Sequence, residues 1–172
     1  MTRGITLGVL TRAAAVPLAV LALAGCGGHA TGSGPTTANG RPATVGVADD
    51  GSLGKILVDS QGRTLYLFQK DSGTKSACSG ACASAWPPLR ASGKPTAGSG
   101  AKASLLGTTP RSDGKPQVTY NGHPLYGYQG DSKAGDTNGQ GINGFGAPWY
   151  VLSPTGNEIT AASSSSGGGS GY

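Results

Sequence analysis

The sequence predicts a mostly β fold, with two tandem antiparallel β-meander repeats forming one small domain of pseudo-two-fold internal similarity. Sliding the chain against itself by 60 residues aligns "SLGKILVDSQGRTLYLFQKDS" (52–72) with "SDGKPQVTYNGHPLYGYQGDS" (112–132), giving 10 identities in 21 positions without a gap. Turn dipeptides (Asp50-Gly51, Gln61-Gly62, Asp113-Gly114 and Asn121-Gly122) separate short apolar runs and supply the positive backbone angles of tight hairpins. Helical periodicity is confined to a turn or two at "ACASAW" (81–86), where Pro87-Pro88 stops it.

In chain order, the first repeat is expected at 42–90, a linker "ASGKPTAGSGAKA" at 91–103, and the second repeat at 104–160. A last strand, "WYVL" (149–152), precedes a turn at Thr155-Gly156. Core residues are scarce, because 32 residues are glycine and only 6% are aromatic. Residues i and i+2 of a strand share a face, so Tyr66 and Phe68, like Tyr126 and Tyr128, should set two rings side by side. Leu65 and Leu67 turn the other way, which predicts a strand covered on both faces. Asp71 and Asp131 follow these strands and are expected to accept backbone N–H bonds in the next turn. The competing expectation has the tyrosine hydroxyls and aspartates converging on a ligand or cation.

The chain ends carry different signals. Arg3 and Arg12 precede "AAAVPLAVLALAG", too short and proline-interrupted for a lasting bilayer span, so residues 1–25 read as a signal peptide. Leu23-Ala24-Gly25-Cys26 resembles the lipobox of bacterial lipoproteins, which implies that Cys26 is acylated and becomes the first mature residue. Two or three acyl chains hold a protein on a membrane far more firmly than one. The alternative is an ordinary secreted protein with a chance cysteine near its cleavage site. Residues 26–41, rich in Gly, Thr, Ser and Pro, read as a flexible tether, and 161–172, ending "SSSSGGGSGY", as a disordered tail. Loss of the leader lowers the net charge from +5 to +3, a mild excess that argues against nucleic acid as a partner.

Tyr66, Phe68 and Asp71, and again Tyr126, Tyr128 and Asp131, resemble the Y-x-[FWY]-x-x-D motif of a family of bacterial lipoproteins described as secreted repeats of unknown function. The resemblance extends through "CSGACASAWPPL" (78–89), "GDTNGQG" (135–141) and "PWYVLSP" (148–154). It implies export, lipidation and a repeat architecture, and it supplies no reaction.

Cys78 and Cys82, spaced C-x3-C, are expected to form a disulfide in an oxidising compartment. A redox-active or metal-binding thiol pair is the alternative. Against metal, the histidines are His29 in the tether and His123 in a hairpin turn, and two thiolates alone leave a zinc site half filled; no metal site is expected. "GQGING" (139–144) matches a dinucleotide-binding pattern, but "FGAPW" after it cannot start the required helix. The loop 130–146 gathers Asp131, Asp136, Asn138 and Asn143 without the spacing of a calcium loop, and reads as a glycine-rich surface loop. Trp86 and Trp149, each beside a proline, are expected to cover the end of the core, with a sugar-stacking face as the alternative. Glu158 is the sole glutamate, and no Ser or Cys has a neighbouring His to act as its base.

The expectation is therefore a non-enzymatic lipoprotein at the extracytoplasmic face of the membrane, held through its lipid anchor. Its β domain would bind or scaffold an envelope ligand or protein, with no cofactor and no catalytic residue. The alternative is a redox or metal-handling lipoprotein using Cys78 and Cys82.

Overall fold

A computed structural model describes residues 41–160. The leader, Cys26, His29, the tether up to residue 40 and the tail from residue 161 lie outside the described residues.

The chain opens with a hairpin of β1 (Thr44–Asp49) and β2 (Lys55–Asp59), in register Val45↔Asp59 to Asp49↔Lys55. Asp50 shapes the turn: its Oδ1 accepts from Leu53 N at 2.9 Å and from Ser52 Oγ at 2.8 Å. A second turn follows, pinned by Asp59, whose carboxylate accepts from Gln61 N, Arg63 N and the Arg63 guanidinium. It delivers β3 (Tyr66–Phe68). After α1 (Ala81–Ala85) and β4 (Thr96–Ala97), a 3-10 turn at Ala103–Leu105 leads into the second repeat. That repeat contains β5 (Leu106–Thr109), β6 (Gln117–Tyr120), β7 (His123–Pro124), β8 (Asn143–Gly144) and β9 (Ala147–Val151).

Among the described residues three small sheets result, ordered β2-β1-β4, β3-β9-β8 and β5-β6-β7, with every strand pairing antiparallel except β1 to β4. The predicted mostly β class and the short helix at 81–85 are both present. The alternation along β3 works as the sequence implied: Leu65 and Leu67 enter one apolar cluster with Val45, Leu57, Leu89, Val118, Leu125 and Leu152, while Tyr66 and Phe68 enter the other with Trp86, Tyr126 and Trp149. The strand is a wall between two cores.

The segment read as a linker is bonded chain. Thr96 N donates to Ala43 O and Gly98 N to Val45 O, at 2.9 and 2.7 Å, and Val47 N donates to Ser99 O at 2.9 Å. Residues 96–99 thus add a parallel edge strand to the first repeat. The approach is close enough that a Cβ on Gly100, whose φ is 76°, would stand 2.9 Å from Val47 Cβ.

The meanders also exchange their last strands. Residues 87–91, which end the first repeat, lie on the second: Pro88 bridges Tyr126, Arg90 bridges Gln117, and Val118 N donates to Leu89 O at 2.8 Å. In return β9, which ends the second repeat, pairs with β3 of the first in register Tyr66↔Val151 and Phe68↔Trp149, and Leu57 N donates to Leu152 O at 2.9 Å. "WPPL" (86–89) and "WYVL" (149–152) are counterparts, each completing the sheet of the other half.

Candidate functional site

At the centre of the molecule, Tyr66 and Tyr126 face each other as an antiparallel pair: Tyr66 N donates to Tyr126 O at 2.8 Å, and Tyr126 N to Tyr66 O at 3.0 Å. Their side chains then cross. Tyr66 Oη donates to Asp131 Oδ2 at 2.7 Å, and Tyr126 Oη donates to Asp71 Oδ2 at 2.8 Å. Each tyrosine is therefore bonded to the motif aspartate of the other repeat. The second oxygen of each carboxylate accepts a backbone N–H from the following loop, Ala77 N on Asp71 Oδ1 at 2.7 Å and Asn138 N on Asp131 Oδ1 at 3.0 Å. The turn role expected for the aspartates is met, and the tyrosine bond links that turn to the opposite half.

Electrostatics reinforce the pairing. Both tyrosines are fully buried, and burial first, then the adjacent carboxylate, pushes their hydroxyls far above the usual phenol range. Burial also raises Asp71 and Asp131 above the ordinary carboxyl value, against the opposing hydrogen bonds they accept. These phenols are held as neutral donors.

The rings form one column. Trp86 and Trp149 stack at 4.0 Å between centroids with planes 3° apart; Phe68 stacks on Trp149 at 4.0 Å and Tyr128 on Trp86 at 4.2 Å. Tyr66 meets Trp86 edge-on at 5.4 Å, and Tyr126 meets Trp149 edge-on at 5.1 Å. The pseudo-two-fold relation runs between the two indoles. Neither indole offers a face to a sugar, since both are buried.

The surrounding loops serve this column. In "GQGING", Gly139 N donates to Tyr66 Oη at 3.2 Å, and a Cβ at that position would lie 2.8 Å from the Tyr66 ring and 2.9 Å from Trp86. Glycine is required there by contact with rings. Cys78 and Cys82 form the disulfide expected from their spacing, with Cα atoms 5.3 Å apart, and both sit in the aromatic core at 1% and 6% exposure. Asp136 is used within its own loop, accepting from Ser132 N, Ser132 Oγ and Lys133 N. Among the described residues no group of three or more His, Cys, Asp or Glu is placed to hold a metal ion.

Sequence reasoning missed Ser76, Arg111 and Gln117. Ser76 Oγ lies 2.7 Å from Tyr126 Oη and accepts from Arg111 Nη1 at 2.6 Å, while Arg111 Nη2 donates to the Cys78 carbonyl at 2.6 Å. Arg111 Nη1 also donates to Gln117 Oε1 at 2.6 Å, so an arginine from the second repeat clasps the disulfide loop of the first. No spacing rule announces such a contact across 33 residues of sequence separation. His123 and Glu158, which the sequence left without a task, line a shallow cavity beside Leu67, Phe68, Gln69 and Asp71.

A family model described as a secreted repeat of unknown function matches the chain twice, at residues 47–90 and 107–153. No curated protein and no solved structure matches it. The two matches end at Arg90 and Ser153, so each family unit includes the strand that it lends to its neighbour. The chain, extracytoplasmic by that description, belongs to the family of secreted repeats of unknown function and carries two copies of the repeat.

Proposed function

We propose that this protein is a lipoprotein anchored to the extracytoplasmic face of the membrane through Cys26, with its duplicated β domain acting as a non-enzymatic binding or scaffold module for an envelope ligand or protein. The observation that carries this reading is the crossed Tyr66–Asp131 and Tyr126–Asp71 pairing. The side chains that define the motif are engaged in joining the two halves, which is the work of a framework. The residues after Cys26 support a tether, and the lipobox-like "LAGC" supports acylation.

Anchoring is tested by Cys26→Ala in the full chain, expected to abolish incorporation of labelled palmitate and to move the protein from the membrane fraction to the medium. Unchanged labelling would end the lipid-anchor reading.

The redox or metal-handling alternative rests on Cys78 and Cys82. Their sulfurs are joined to each other and buried, so neither is presented as a thiolate to a metal or an electron donor. Replacing both by Ser is expected to lower the melting temperature only, because closing so small a loop contributes about 2 kcal/mol in the chain-entropy model. Loss of metal uptake or electron transfer in a variant that still melts cooperatively would favour the alternative.

A further inference from the structure

The contacts between the halves have the form of a two-fold interface. Tyr66 bonds Asp131 as Tyr126 bonds Asp71. Trp86 stacks on Trp149, with Phe68 and Tyr128 as matching outer rings. Residues 87–91 lie on Tyr126 and Gln117 as β9 lies on β3. In an isologous interface, residue i of one side meets residue j of the other and j meets i, so the same contacts form equally well between two chains.

We propose that the protein takes a second copy of itself as partner by exchanging halves, residues 41–91 of one copy closing on residues 103–160 of the other through these same contacts. Within the connector, residues 92–102, the 96–99 pairing to β1 stays with its own half, and only the residues after it differ between the closed monomer and the exchanged pair. Its length sets the balance. A short connection presents one half to the other at an effective concentration on the order of millimolar, so a dilute chain closes on itself. Crowding of chains, or a connector that cannot reach, shifts closure to the neighbour.

The reach can be worked out. Ala91 N donates to Pro116 O, and Asn121 N donates to Leu105 O. The connector therefore runs between points five residues apart along the line of β6, about 17 Å at ~3.4 Å per residue. Removing residues 93–102 from the full chain takes out the edge strand on β1 and leaves Ser92, Ala103 and Ser104 between Ala91 and Leu105. Four Cα steps span at most about 14 Å, too little to close within one copy.

Analytical ultracentrifugation of that deletion variant at micromolar concentration is expected to give twice the monomer mass, with the near-ultraviolet circular dichroism of the stacked indoles retained. A folded monomer would overturn the proposal. So would failure of the deletion variant to fold while a chain with Gly and Ser at 93–102 folds as a monomer. The unaltered chain supplies the deciding measurement if both variants fail. Refolded from denaturant at about millimolar concentration, where neighbours compete with the chain's own other half, it is expected to leave a fraction trapped as dimer on dilution; monomer alone at every refolding concentration rejects exchange.

Discussion

Trp149→Ala is expected to unfold the domain at temperatures where the parent protein is fully folded. Trp149 has no solvent exposure, lies between Phe68 and Trp86 at 4.0 Å from each, meets Tyr126 edge-on, and donates its indole N–H to Gly144 O at 3.0 Å. Truncating a buried tryptophan costs about 3–5 kcal/mol. A domain's whole stability is about 5–15 kcal/mol, so the loss takes a large share of it. At roughly 4 °C per kcal/mol for a domain of this size, the midpoint should fall by more than about 10 °C. Trp149→Phe keeps a ring in the column and should lose less. Differential scanning calorimetry decides: a fall under about 3 °C for the alanine variant, against that same scale, would show that the column does not hold the halves together.

Alkaline unfolding should be nearly as severe. The hydroxyls of Tyr66 and Tyr126 are raised by burial and by the carboxylates they face. A group whose folded pKa lies above its unfolded value contributes stability that is present below the unfolded pKa and lost as pH rises. For a phenol the unfolded value is about 10. Above it, each such tyrosine removes about 1.4 kcal/mol per pH unit, and the pair about 2.7. By pH 12 the loss is about 5 kcal/mol. Phenolate absorbance should therefore show Tyr66 and Tyr126 ionising only together with loss of the near-ultraviolet signal of the core. In the Tyr66→Phe, Tyr126→Phe double variant the alkaline slope should flatten by about 2.7 kcal/mol per pH unit, although stability at neutral pH falls through the lost hydrogen bonds. Free titration of every tyrosine near pH 10 without unfolding would refute the buried, carboxylate-bonded arrangement.

Much of this fold was legible because its signals are local. Turn glycines announced the hairpins, period-two alternation announced the two-faced wall at 65–68, and the C-x3-C spacing announced the disulfide. The duplication was visible because 52–72 and 112–132 align without a gap. The lending strands escaped that alignment. "WPPL" and "WYVL" share only Trp and Leu, and their offset is 63 residues, so the 60-residue shift passes them by. The crossed pairing escaped for a related reason. Each motif contains both a tyrosine and an aspartate, and spacing within one copy is silent about which copy supplies the partner. The edge strand within 96–99 carries no sequence signal, because a two-residue parallel strand of Thr and Ala has no alternation to detect.

The borrowed strands also dictate when the molecule can fold. Residues 86–91 find their partners on residues that follow them by tens of positions, and the two indoles stack on each other only when the last strand arrives. During synthesis or translocation the aromatic column stays incomplete until Trp149 emerges. A product cut short before that point keeps its apolar faces exposed and stays vulnerable to proteases, while the finished chain acquires resistance in one concerted step.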